Sequence, residues 1–196
     1  SPLTKGDTGG CGFDCVIGNP PYVRNTSLDT QHKSYFIKNY ESSFDQFDLY
    51  FLFIEKGIKL LNSSGNLGLI NPIGFLNNKS GLKLRKEILK YNISSIIDVS
   101  YDSVFKQAST YPIIFVLQKE NSNKNSIKLG NIESLKHKNF RSIDQNMILK
   151  SKNYIINLKK NTKDFILIDK IISKSEELSA LCDFTRGMQK NKIEFL

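Results

Sequence analysis

Four consecutive residues, Asn19-Pro20-Pro21-Tyr22, have side chains and spacing that could do chemistry. The side-chain oxygen of Asn19 and the main-chain carbonyl of Pro20 are two hydrogen-bond acceptors held one residue apart. The two prolines stiffen the turn, so both oxygens stay aimed. This arrangement suits a weak nitrogen nucleophile. The lone pair of an exocyclic amine on an adenine ring is delocalised into the ring. Acceptors that hold both of its N–H groups draw the nitrogen toward tetrahedral geometry, an electrostatic preorganisation. Tyr22 adds a flat face on which a base swung out of a duplex could stack. The competing reading is a Pro-Pro turn with an incidental tyrosine.

The elements that must position this turn can be read from the pattern. Phe13-Asp14-Cys15-Val16-Ile17-Gly18 reads as a short buried strand that ends at the proline pair. The carboxyl end of a strand is where open α/β sheets bind ligands. Residues 1–12 are polar and glycine-rich and read as an irregular start. Residues 23–43 are polar without a clear period and read as a long loop. Residues 43–61 predict a helix, because Phe47, Tyr50, Phe51, Ile54, Ile58 and Leu61 recur at helical spacing, with Ser43 or Asp45 as cap. Asn62-Ser63-Ser64-Gly65 then breaks it. Residues 66–70 predict a strand closed by Asn71-Pro72, and 80–91 a helix with Leu84, Ile88 and Tyr91 on one face. Residues 93–99 and 110–118 predict two more strands. This alternation implies a mostly parallel sheet covered by helices. The connection of about ten residues between the last two strands is short for a crossover, so they should be antiparallel neighbours. Residues 121–175 read as a basic connecting region with short apolar segments at 127–132 and 154–158 and a helix at 165–174. Residues 176–196 begin a further unit.

Composition narrows the class. With 196 residues, 39% apolar and 24% charged, the chain is of globular type and large enough for one domain with a core. It has no apolar run of 18 residues, so no membrane span is expected, and residues 1–10 do not read as a signal peptide. Cys11, Cys15 and Cys182 are too sparse for a disulfide framework and fit a reducing cytoplasm. Cys11 and Cys15 with His32 and His137 lack zinc-site spacing, so no metal is expected. The formal charge of +9 is uneven: residues 1–120 carry 13 basic and 11 acidic groups, residues 121–196 carry 15 and 8. A basic excess fits nucleic acid. Equally, only four of the 28 basic residues are arginine, and a Lys-, Asn- and Ile-rich chain also reflects an AT-rich genome.

Residues 13–22 resemble the catalytic strand and loop of the amino-methyltransferase family, in its N6-adenine DNA branch of restriction–modification type. The likeness continues in order through about residue 118. Asp48-Leu49-Tyr50-Phe51-Leu52-Phe53-Ile54-Glu55-Lys56 is similar to the helix after the catalytic loop, and 65–72 to the next strand. Val104-Phe105 with 110–117 is similar to the closing hairpin. The resemblance implies the carboxyl-terminal half of a Rossmann-like α/β sheet that uses S-adenosylmethionine, mostly parallel with an antiparallel final hairpin. Residues 13–120 would be the partial catalytic domain. Asn19 and Pro20 would hold the target amine, with Pro21 stiffening the turn. Tyr22 and Phe105 would contact the flipped adenine of double-stranded DNA. Asn19, Pro21, Leu49 and Phe53 would border the cofactor, although Phe53 could equally be core. Transfer would be direct, without a covalent intermediate.

The family's Gly-rich cofactor loop and the acidic residue of its second strand would lie upstream of Phe13. The resemblance therefore implies that this chain is a piece of the enzyme, completed by an amino-terminal segment or a second chain. Phe184-Thr185-Arg186-Gly187-Met188-Gln189 resembles the start of a target-recognition domain, or is a helix end with a turn at Gly187. Two other functions stay open. Release-factor glutamine methyltransferases carry the same tetrapeptide, because a side-chain amide is also a weak nucleophile. A non-catalytic fragment that binds DNA through its basic tail is the other.

Overall fold

Helix α2 (Leu49–Leu60) is the element that the apolar period dictates most directly. Tyr50, Phe51, Ile54 and Ile58 are buried on it, as are the flanking Phe47 and Leu61, so all six residues of the predicted stripe lie in the core. A Cβ at Gly57 would come within 2.6 Å of Leu67 Cδ1, so glycine lets α2 close onto the strand that follows it. The computed structural model describes residues 12–100, 111–121, 125–159, 162–176 and 178–181.

The strands are β1 (Phe13–Gly18), β2 (Leu61–Pro72), β3 (Tyr91–Asp98), β4 (Pro112–Asn121), β5 (Ser126–Asn131) and β6 (Arg141–Asp144). They form one mixed α/β sheet in the order β1-β2-β4-β3-β5-β6. Pairs β1–β2 and β3–β5 are parallel. Pairs β2–β4, β3–β4 and β5–β6 are antiparallel, so the strands read at 93–99 and 110–118 are antiparallel neighbours as expected. The other helices are α1 (Thr30–Asn39), α3 (Leu82–Ile88), α4 (Ile132–His137), α5 (Gln145–Lys150), α6 (Thr162–Ile172) and α7 (Leu178–Leu181). A 3-10 turn spans Ile73–Leu76. Among the described residues no helix is long and apolar enough to cross a membrane.

The structure departs from the pattern at several places, one being Tyr91, which opens β3 instead of lying on the face of the 80–91 helix. Residues 30–39, read as loop, form α1. Its N-cap is Asp29, whose side chain accepts from the His32 N–H, and none of its residues is fully buried, so it has no apolar stripe to read. The helix predicted from residue 43 begins only at Leu49. Asp45 has a φ of 57°, which no helix continues, and neither Ser43 nor Asp45 caps it. Strand β2 runs on through Asn62-Ser63-Ser64-Gly65. Ser64 has a φ of 66°, and the register with β1 shifts between Phe13 and Cys15, so the expected break is a bulge inside a strand. The segment read as a connecting region contributes β5 and β6 to the same sheet.

Three buried polar side chains fasten the layers. Arg85 is 1% exposed. Its Nη1 donates to the carbonyls of Phe75 at 2.7 Å and Asn78 at 2.8 Å, and its Nε to that of Asn153 at 3.1 Å. Gln145 Nε2 donates to the Leu89 and Tyr91 carbonyls, and its Oε1 accepts from the Ile93 N–H, which joins α5 to β3. Glu55 of α2 accepts from the Ser42 N–H at 2.8 Å, the Ser42 hydroxyl at 2.7 Å and Lys59 Nζ at 2.5 Å.

Two outcomes follow for stability. In Arg85→Leu, three carbonyls lose their donor, and each buried acceptor left unpaired costs about 1–3 kcal/mol. Only the Phe75 carbonyl is left in a fully buried bond site, so urea unfolding should show a loss of about 1–3 kcal/mol. Burial alone would raise the Glu55 carboxyl, but hydrogen bonds from Lys59 and Ser42 outweigh it and hold the group below the ordinary glutamate range. A carboxyl whose folded pKa is depressed adds stability that is fully present above its unfolded pKa and lost as pH falls through the folded value. Glu55→Gln should therefore be less stable than wild type at pH 7. The gap should shrink as pH falls below the unperturbed glutamate value of 4.5, which urea melts at the two pH values would read.

Candidate active site

The tetrapeptide leaves the carboxyl end of β1 beside the carboxyl end of its parallel neighbour, where Gly18 pairs with Leu69. Pro20 is buried, and Asn19, Pro21 and Tyr22 are exposed. The turn is thus rooted at Pro20, while the three residues around it stay exposed. The Tyr22 hydroxyl lies 2.9 Å from Asn19 Oδ1 and 3.2 Å from the Ile70 carbonyl of β2. The Tyr22 ring meets Tyr50 edge to face at 6.2 Å. Tyr50 meets Phe75 at 6.1 Å, and Phe75 meets Phe115 at 5.6 Å. An aromatic column therefore runs from the loop into the core. Burial raises the Tyr22 phenol above its ordinary pKa and raises that of Tyr50 further, with the Asp48 charge adding to the latter.

The exit of the loop is clamped to the start of α2. The Leu49 N–H donates to the Val23 carbonyl at 2.8 Å, and the Asn25 N–H to the Phe47 carbonyl at 2.9 Å. Asn25 Nδ2 donates to the Asp45 carbonyl at 3.0 Å. Asn25 is 2% exposed, although by pattern it belongs to a long polar loop. A polar residue next to a proline-stiffened turn was its only signal. Burial raises the Asp48 carboxyl, with Arg24 opposing that shift.

Leu49 and Phe53 lie one turn apart on α2. Leu49 is half-buried and packs on the core, whereas Phe53 is 49% exposed. Phe53 is thus not part of the core that the described residues form. Phe13 and Ile17 of β1 are also exposed, Ile17 at 79%. Among the described residues nothing pairs with the outer edge of β1 or covers these side chains. A strand that reads as buried thus lies open. Phe105 lies outside the described residues. Asn71, read as the end of a strand, is fully buried close to the loop, with neither amide atom paired. Among the described residues no group of His, Cys, Asp and Glu could hold a metal, and Cys15 is a free thiol.

The fold and this loop define a class, and the comparisons give its family. The chain belongs to the Eco57I restriction-modification methylase family, whose model matches residues 5–105. It is 40% identical over 114 residues to the type II restriction enzyme and methyltransferase RM.Eco57I of Escherichia coli, covering 56% of this chain and 11% of that protein. It is 36% identical over 118 residues to the type II methyltransferase M.BstVI of Geobacillus stearothermophilus, covering 59% of this chain and 21% of that one. The chain therefore spans only a minor part of the relatives it matches. Its fold is similar to that of a nuclease-deletion mutant of the Type ISP restriction-modification enzyme LlaGI, solved in complex with a DNA substrate mimic. The TM-score is 0.52 at 18% identity, over 72% of this chain and 17% of that one.

The clamp gives a third outcome. Asn25→Asp sets a carboxylate oxygen against the Asp45 carbonyl in place of a donor. It should cost at least about 2 kcal/mol in a thermal or urea melt and open residues 19–28 to limited proteolysis.

Proposed function

We propose that this chain forms part of the catalytic domain of a site-specific DNA methyltransferase of a restriction–modification system, acting in the cytoplasm on the N6 amine of adenine. The observation that carries this reading is the rigid Asn19-Pro20-Pro21-Tyr22 turn at the carboxyl ends of β1 and β2, in a chain of the Eco57I methylase family. The partner is double-stranded DNA presenting a flipped adenine.

Asn19 Oδ1 and the Pro20 carbonyl accept the two N–H groups of the target amine, which raises the availability of its lone pair. Pro21 keeps the turn stiff, and the ring of Tyr22 stacks on the extruded base. We assign Phe105 a second contact with that base. When bound, S-adenosylmethionine supplies an electrophilic methyl group. Leu49, Phe53, Asn19 and Pro21 are the residues of this chain that would hold the cofactor. The half-exposed ring of Phe53 supports this fit, because a large apolar side chain uncovered beside the loop offers a stacking face. The open edge of β1 supports completion by a further segment or chain that brings a Gly-rich loop.

The test uses the complete gene product. With tritiated S-adenosylmethionine, wild type should place label in DNA as N6-methyladenine. Asn19→Ala should lower kcat by roughly 100-fold or more, the cost of removing one preorganised hydrogen-bonding group. Label found only in protein would sink the reading. Phe53→Ala should weaken cofactor binding about threefold to tenfold by calorimetry and leave the melting temperature unchanged.

A further inference from the structure

We propose that the Tyr22 hydroxyl is a positioning group that selects which end of the Asn19 amide faces the reacting amine, with the Ile70 carbonyl as its fixed acceptor. The inference rests on the methyl-transfer reading and adds a role that stacking of the ring does not supply.

A phenol has one hydrogen, yet the Tyr22 oxygen lies within hydrogen-bond distance of two acceptors, Asn19 Oδ1 at 2.9 Å and the Ile70 carbonyl at 3.2 Å. The Ile70 carbonyl can only accept. It belongs to the β2 backbone, where Ile70 pairs with Ile114, so it cannot turn away. The Asn19 side chain is exposed, and its amide can rotate by half a turn with little change of shape.

The two orientations are not equivalent. With Oδ1 toward the phenol, two acceptors compete for one hydrogen, and Nδ2 faces the substrate. A donor then meets the N–H groups of the amine. With Nδ2 toward the phenol, Asn19 donates to the Tyr22 oxygen, and Tyr22 donates to the Ile70 carbonyl. All three groups are paired, and Oδ1 faces the amine as the chemistry requires. The reactive arrangement is therefore a relay from Asn19 Nδ2 through the Tyr22 hydroxyl to Ile70. Tyr22 is held for this role from its other side by the ring of Tyr50. A phenol is protonated at neutral pH, and burial shifts it further in that direction, so it remains a donor.

Phenylalanine keeps the ring and removes the relay. Aspartate at position 19 has two equivalent oxygens and no end to select. The test is a double-mutant cycle on the complete gene product, with N6-methyladenine in DNA as readout. Tyr22→Phe should lower kcat roughly fivefold to tenfold, about the factor one hydrogen bond carries, with KM for DNA within about twofold of wild type. In the Asn19→Asp background the same substitution should change kcat by less than about twofold. Full activity of Tyr22→Phe, or an equal loss in both backgrounds, overturns the relay. A rise in KM without a fall in kcat overturns it also, because that reports lost stacking. Failure of wild type to methylate adenine overturns the underlying reading, and the relay with it.

Discussion

The candidate site depends on the short clamp between residues 23–25 and 45–49. The Leu49–Val23 and Asn25–Phe47 main-chain bonds, with the Asn25 side chain on Asp45, fix two things at once. They set where α2 can begin, and they return the chain to β1's end after the proline turn. Without them the turn would be rooted through Pro20, the Tyr22 hydroxyl and the contact of the Tyr22 ring with Tyr50. With them, a largely exposed loop is held by the same helix that supplies much of the core.

Much of this was legible in the sequence because it rests on local signals. The α2 stripe has helical spacing, and every apolar residue read into it is buried. The strand ending at Asn19-Pro20 was legible because prolines interrupt a pattern of apolar residues. Other features lie outside what period and punctuation can carry. Helix α1 buries no residue fully, so it has a cap but no stripe. Strands β5 and β6 are short, and the place of β5 in the sheet is set by β3, about 30 residues away, with Gln145 linking α5 to the Ile93 N–H of β3. Arg85 reads as one more solvent-facing cation on a helix, because nothing nearby in sequence announces three carbonyls converging on it.

The polar anchors also join separate segments of the chain. Glu55, Arg85 and Gln145 each join segments that apolar packing alone would leave free to slide. A buried hydrogen-bonded group tolerates far less displacement than a methyl. The aromatic column from Tyr22 to Phe115 connects the loop to β4 through contacts with defined geometry.

The open outer edge of β1 has a colloidal consequence. Its exposed Phe13 and Ile17, with backbone groups that no described residue pairs, form a template on which another strand can add. The chain's formal charge of +9 opposes the approach of a second copy. Added salt screens that repulsion over about 8–10 Å and leaves the edge intact. Ionic strength therefore shifts the isolated chain toward self-association, while any polypeptide that occupies the edge removes that tendency.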